Sequence, residues 1–246
     1  MTEIMRAKIS VVIPAYNSRE TIENCVTHVI ETGYTPLEII VVDDASTDDT
    51  TEIVSKMIER NPNLIRLIDL DQNAGPAHAR NIGAQESSGD YIFFNDSDTA
   101  MLPDALEVFS KTILSADVVS GIYHWEPVNN EPIAWYFSFL KYVTFSNQGI
   151  FEYYNINGPV AGIRRESFFA AGGFDDTLTW GMDYECEEFG RRLMRDNRMI
   201  LDPAITVKHT FPGLLRMSKL YFIRLSLWMA GRAPERGAET AIFQAP

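Results

Sequence analysis

The sequence predicts an α/β fold on a Rossmann-like, mostly parallel central sheet with helices on both faces. Three observations predict it. Short runs rich in β-branched residues recur through residues 1–100. Stretches of helical character separate them. The runs are apolar throughout instead of alternating, which is the pattern of strands buried on both faces.

Ile9–Pro14 (ISVVIP) is the first predicted strand, and Ser18–Glu31 the first helix, with Ser18 and Thr21 as starting caps. Leu37–Val42 (LEIIVV) is the second strand, followed by a helix over Thr50–Arg60 that Thr47-Asp48-Asp49 caps. Leu64–Leu70 (LIRLIDL), a helix over Pro76–Ser87 and Tyr91–Phe94 (YIFF) complete the first half. Right-handed crossovers join such strands. After Pro103 the pattern gives a helix over Asp104–Ser115 and a strand over Asp117–Tyr123. Residues 124–157 then crowd aromatics without regular spacing, and are expected to form a smaller irregular lobe. A helix over Met182–Asn197 carries Cys186, Phe189 and Leu193 as a core stripe. The expected organisation is one domain over 1–210, in two halves at 1–100 and 101–210, then a basic amphipathic tail at 211–246.

The chain has 246 residues and a formal charge of −13, with 46% apolar and 22% charged residues. Those fractions suit a well-packed core. The acidic surface repels phosphate backbones and excludes a general nucleic-acid binder. Cys25 and Cys186 are too few for a disulfide framework and read as reduced, buried thiols. The longest stretch free of Asp, Glu, Lys and Arg runs only from Tyr153 to Ile163, too short for a membrane-spanning helix. No basic start with an apolar run marks a secretion signal. Together these place the expected activity in the cytoplasm.

The ends of the strands carry the chemistry. The second ends in Asp43-Asp44, the third is followed by Asp71, and the fourth ends in Asn95-Asp96-Ser97-Asp98. Ligands bind outside the carboxyl ends of strands in an open parallel sheet, so these acids gather along one edge. Crowded carboxylates need a compensating cation. Mg²⁺ and similar ions bind through one or two carboxylates plus substrate phosphates. A metal-bound nucleoside diphosphate accounts for the pattern; Asp48, Asp49 and Asp104 read as helix caps instead. No G-x-G-x-x-G follows the first strand and there is no G-x-x-x-x-G-K-[ST], which disfavours a dinucleotide site and a P-loop.

These pieces resemble one family. Ser10-Val-Val-Ile-Pro-Ala-Tyr-Asn17, Val42-Asp-Asp-Ala-Ser-Thr-Asp48, Asn73-Ala-Gly-Pro-Ala-His-Ala-Arg-Asn81 and Gly89-Asp-Tyr-Ile-Phe-Phe-Asn-Asp-Ser-Asp98 come in order. Gly172-Gly-Phe-Asp175, Trp180-Gly-Met-Asp183 and Val207-Lys-His209 follow. The set resembles the family 2 glycosyltransferases of GT-A fold, from about Lys8 to His209, which implies a nucleotide-binding half at 1–100 and an acceptor half at 101–210. The resemblance implies inverting transfer of a sugar from a nucleotide-sugar donor of UDP, GDP or dTDP type. The expected acceptor hydroxyl belongs to a carbohydrate or a lipid-linked glycan. It implies that Pro14, Ala15 and Tyr16 line the base pocket, that Asp44 bonds the base with Asp43 beside it, and that Asn73, Gly75 and Arg80 border the nucleotide, Arg80 partnering phosphate or Asp44. Asp96 would face ribose and metal, Asp98 would be the main ligand of Mn²⁺ or Mg²⁺, and His209 would approach metal or diphosphate from the far side.

A base must take the acceptor's proton on the face opposite the leaving group, and the resemblance assigns that to Asp183. Met182 stands where the family usually has an acid, which makes Glu185 the alternative base. Trp125, Trp135 or Trp180 could stack on a sugar; Arg164 and Arg165 either contact phosphate or cap a helix. Residues 214–230 (LLRMSKLYFIRLSLWMA) mix bases with apolar residues, and read either as a peripheral contact with the inner membrane face or as a helix packed back on the domain. Two other readings compete: a nucleotidyltransferase, which would need a Gly-rich basic loop that Ala15–Ser18 does not supply, and a non-catalytic sugar-binding module.

Overall fold

The computed structural model describes residues 6–178 and 184–214. The chain divides into a compact unit, Met1–Phe211, and a second stretch, Pro212–Pro246, of which little is described.

The first half follows the predicted alternation. Strands β1 (Ile9–Ala15), β2 (Leu37–Asp43), β3 (Ile65–Asp69) and β4 (Tyr91–Asn95) pair in parallel, in the order β3-β2-β1-β4. Helices α1 (Ile22–Glu31), α2 (Thr50–Arg60) and α3 (Pro76–Gln85) connect them. α1 starts later than expected because the carbonyl of Ser18 accepts from the amides of Thr21 and Ile22, making a turn first. Neither Thr21 nor Asp49 makes a side-chain cap; Asp48 Oδ1 instead accepts from the Thr50 amide at 3.0 Å.

The second half is mixed. β5 (Thr99–Met101), α4 (Ala105–Thr112), a short 3-10 turn and β6 (Val118–Tyr123) come next. The aromatic segment, expected to be irregular, contains a 14-residue helix, α5 (Pro132–Phe145). Pro132 at its first turn fits, since its missing N–H would be unbonded there anyway. β7 (Phe151–Glu152), β8 (Val160–Arg164), α6 (Arg165–Ala170), α7 (Tyr184–Leu193) and β9 (Met199–His209) complete the described chain. The nine-stranded sheet runs β3-β2-β1-β4-β8-β6-β9-β5, with β7 on β9. β8 is antiparallel to both β4 and β6, whereas β6 and β9 are parallel.

Both faces of the sheet are buried, as the unbroken apolar strands require. On one face Ile9, Val11 and Ile13 pack with Cys25, Val26, Val54 and Phe109 of α1, α2 and α4. On the other, Val12, Ile92 and Phe94 pack with Ala77, Phe168, Phe189 and Leu193 of α3, α6 and α7. Phe109 reaches the sheet because position 162 is glycine. A Cβ there would lie 2.2 Å from the Phe109 ring, far inside contact distance.

Candidate functional site

Four chain segments converge at the carboxyl ends of β1, β2 and β4. Each is shaped by short-range chemistry.

The loop after β2 is held from within. Asp43 is fully buried, and its carboxylate accepts from the Ser46 amide at 2.7 Å and the Ser46 hydroxyl at 2.6 Å. Burial raises its pKa. Asp43 therefore shapes the turn and does not line the edge beside Asp44 as the resemblance implied. Asp44 bonds across to the segment before α3. Its two oxygens accept from the amides of Ala74 and Gly75, each at 2.8 Å, while Asn73 Nδ2 donates to its carbonyl at 3.1 Å. Gly75 adopts φ +93°, which suits glycine, and this turns its amide toward the carboxylate. Each Asp44 oxygen keeps a second lone pair, on a residue that is 3% exposed.

Pro14 and Ala15 end β1 as buried residues, and of the three expected base-pocket residues only Tyr16 is well exposed, at 50%. Ser18, just beyond, bonds through its hydroxyl to that of Ser97 at 2.8 Å. That bond ties the β1 loop to the Asp96-Ser97-Asp98 segment. Beneath it lies Cys25, whose buried thiol is pushed up by desolvation and by Asp98, and is therefore inert.

Arg80 of α3 is the buried cation of the site. It donates to Asp96 Oδ1 at 2.8 Å and lies 3.4 Å from Glu185 Oε1 of α7. Its side chain is only 5% exposed. The expected pairing with Asp44 is not made; Arg80 pairs with Asp96 and Glu185 instead. Glu185 is likewise buried and ion-paired, which unsuits it as the alternative base. No local pattern signals this pairing, because the partners lie 105 positions apart.

Asp98 and His209 meet through the sheet. β5 pairs antiparallel with β9, with Thr99 opposite His209. The residue before Thr99 is thereby set beside the end of β9. Thr210 donates its amide to the Asp98 carbonyl at 2.8 Å, and His209 Nε2 lies 3.5 Å from Asp98 Oδ1. Tyr123 and Phe211 flank the imidazole, with ring centroids at 4.9 and 4.4 Å. The Asp98 side chain keeps 41% of its surface, but Oδ1 itself is enclosed and accepts no hydrogen bond. That enclosure, with repulsion from Asp96, pushes its pKa up to about 7.

Among the described residues no three His, Cys, Asp or Glu side chains form a metal cage by themselves. The donor set fits an ion held partly by substrate. Asp98 offers an enclosed oxygen with no donor, His209 a ring nitrogen beside it, and Asp96 carries the adjoining charge. Phosphate oxygens would complete such a shell.

Several expected residues lie elsewhere. Arg164 donates to the carbonyls of Ala116 and Ile113 at 3.2 and 3.0 Å, at the opposite edge of the sheet, so it braces structure and does not meet phosphate. Arg165 lies over the Phe169 ring beside the same edge. An open depression there, lined by Ser88, Asp90, Arg164 and Glu166 among others, is remote from the carboxylate edge. Trp125 and Trp135 pack on each other, centroids 5.6 Å apart. Trp180, Met182, Asp183 and residues 215–230 lie outside the described residues.

Residues 10–169 match the model of the family described as glycosyl transferase family 2, and the chain belongs to that family. It is 35% identical over 122 residues to glycosyltransferase GlyG of Streptococcus pneumoniae, a match over 49% of this chain and 40% of that protein. Among solved structures it is similar to Staphylococcus aureus TarS 1–349 in complex with UDP-GlcNAc, with a TM-score of 0.67 and 22% identity, over 88% of this chain and 64% of that one. It is similar also to mannosyltransferase PcManGT of Pyrobaculum calidifontis in complex with GDP-Man and Mn²⁺, with a TM-score of 0.67 and 22% identity, over 94% of this chain and 66% of that one. These likenesses establish the GT-A fold. The chain spans 40% or less of the length of the curated relatives it matches.

Proposed function

We propose that this chain transfers a glycosyl group, with inversion, from a nucleoside diphosphate sugar to an acceptor hydroxyl in glycan, polysaccharide or glycolipid synthesis. The reading rests above all on Asp98 Oδ1, an enclosed carboxylate oxygen without a hydrogen-bond donor, 3.5 Å from His209 Nε2 and next to Asp96. Family membership supports it, as do the nucleotide sugars named in the two structures of the same fold.

In this reading Asp98 and His209 hold a divalent ion, Mn²⁺ or Mg²⁺, against the donor diphosphate. Bound there, the ion supplies Lewis-acid neutralisation of the charge that grows on the leaving diphosphate. Tyr16 and Asp44 receive the nucleoside, Asp44 through the lone pairs its two backbone bonds leave open. Asn73 and Gly75 frame the same side. Arg80 holds Asp96 in place at the ribose side through their 2.8 Å ion pair. Asp183 takes the proton of the acceptor hydroxyl as that oxygen bonds to the anomeric carbon, and the pair of electrons from the broken glycosyl–oxygen bond passes to the diphosphate. A single displacement of this kind inverts the anomeric centre. The reading places the enzyme in the cytoplasm, with residues 214–230 as a further contact for the inner membrane face; no described helix is long and apolar enough to cross a membrane.

The test is release of nucleoside diphosphate from a panel of UDP, GDP and dTDP sugars with Mn²⁺ and a glycan acceptor. Asp98→Ala should lower release by about a hundredfold or more. Release that the substitution leaves unchanged would overturn the reading, and so would binding of a nucleotide sugar without any turnover.

A further inference from the structure

Helix α5 exposes an apolar face. Tyr136, Phe139, Leu140 and Val143 are 60, 58, 46 and 40% exposed. Their spacing sets them on one side of the helix. The opposite side holds buried Ala134 and Ser138. The patch continues past the helix end: Phe145 stacks on Phe151 at 6.1 Å and meets Tyr153 at 5.8 Å, which brings exposed Ile150 and Tyr154 alongside.

Charge says what fits this face. The chain carries −13 overall, yet no Asp or Glu lies between Glu131 and Glu152, and Lys141 is the one charge there. A large apolar patch on a soluble domain marks a contact surface. Two copies meeting there would bring two strongly acidic bodies together, at a cost in repulsion. A zwitterionic lipid surface carries no such cost, and the helix that approaches it lacks acids; Glu152, which accepts from the Tyr154 hydroxyl at 3.2 Å, borders the patch. The composition also suits it, since Tyr136 and Tyr154 join an apolar ring to a hydroxyl, which favours the headgroup level, while Phe139, Leu140 and Val143 favour the acyl boundary.

The face is also coupled to the candidate site. Phe137 of α5 stacks on Phe211 at 6.0 Å, and Phe211 packs on His209. Lys141 lies 4.5 Å over the Tyr123 ring, which flanks the same imidazole.

We infer that the outer face of α5, with Ile150 and Tyr154, docks on a lipid bilayer and sets the Asp98–His209 edge beside the membrane surface. The docking does not depend on the transfer reaction. Co-sedimentation of the full chain with phosphatidylcholine vesicles tests it, beside the double variant Phe139→Glu/Leu140→Glu. Both positions are exposed, so the fold should persist, which circular dichroism melting checks. The wild-type chain should sediment with vesicles, and the variant's affinity should fall at least about tenfold. The variant Phe139→Trp/Leu140→Ile, which keeps the face apolar, should bind as the wild type does. Equal sedimentation of the wild type and the acidic variant would overturn the proposal, as would no wild-type sedimentation. So would a wild-type dimer in sedimentation velocity that the acidic variant breaks while vesicle binding stays unchanged.

Discussion

Arg80 and Asp96 form an ion pair of 2.8 Å in which the guanidinium is almost wholly buried. Glu185 takes its other edge from α7. One cation thus joins the helix after β3, the end of β4 and the helix that follows the expected base. Burying a guanidinium is costly, and here two carboxylates offset that cost.

Removing that cation should be severe. Arg80→Met leaves Asp96 and Glu185 facing each other without compensation, and should destabilise the chain by about 3–5 kcal/mol. Arg80→Lys keeps the charge but cannot reach both partners with one planar group, so it should fall between. Urea denaturation monitored by circular dichroism measures both; a loss under about 1 kcal/mol for Arg80→Met would contradict the reading.

Asp98 should give the metal-free protein an unusual pH dependence. Its folded pKa, about 7, is above the unfolded value near 3.9. The folded state therefore holds this proton more tightly, and ionising it costs stability. The cost is absent below about pH 4, grows through the interval to pH 7, and is complete above it. Asp98→Asn should raise Tm of the metal-free protein by a few degrees at pH 8 and not at pH 4. Mn²⁺ should stabilise the wild type more at pH 8 than at pH 6, and Asp98→Asn hardly at all. Differential scanning fluorimetry across pH reads all four cases.

Much of this was legible from residue order. The four strands of the first half and the span of α2 follow from apolar runs and their separations. Placing Asp96 and Asp98 at one sheet edge needed only the rule that ligands meet the carboxyl ends of strands. α5 was hidden because it is apolar nearly all round, which removes the periodicity that marks a surface helix. The role of Asp43 was hidden for a different reason. Two adjacent aspartates look alike in sequence, but alternation along β2 sends one inward to Ser46, while the chain turn delivers the other to the amides of Ala74 and Gly75. Pairings such as Arg80 with Glu185 depend on helix placement, which no local pattern encodes.

Asp44 should matter more for donor binding than for folding alone. Asp44→Ala strands the amides of Ala74 and Gly75 and should cost about 1–3 kcal/mol. Asp44→Asn keeps an oxygen for one amide, but its NH₂ group faces the other donor. It should retain the fold while raising the apparent KM for the donor about tenfold or more. Equal KM values for Asp44→Asn and wild type would remove Asp44 from the nucleotide site.

Gly162→Ala should be strongly destabilising, because the new methyl would meet the Phe109 ring 2.2 Å away in the middle of the sheet. Overpacking of this kind costs about 1–3 kcal/mol or more. The double change Gly162→Ala/Phe109→Leu should recover part of the loss, which thermal melting of both variants beside the wild type checks; no recovery would mean that the strain lies elsewhere.

The pairing of Thr99 with His209 has a consequence for assembly. His209 and Asp98 come from opposite ends of the chain's second half, and the pairing of a three-residue strand with the last described strand helps to align them. A slip of one position would turn the imidazole to the reverse side of the sheet. Cation binding at this edge would therefore report that β9 has docked in register.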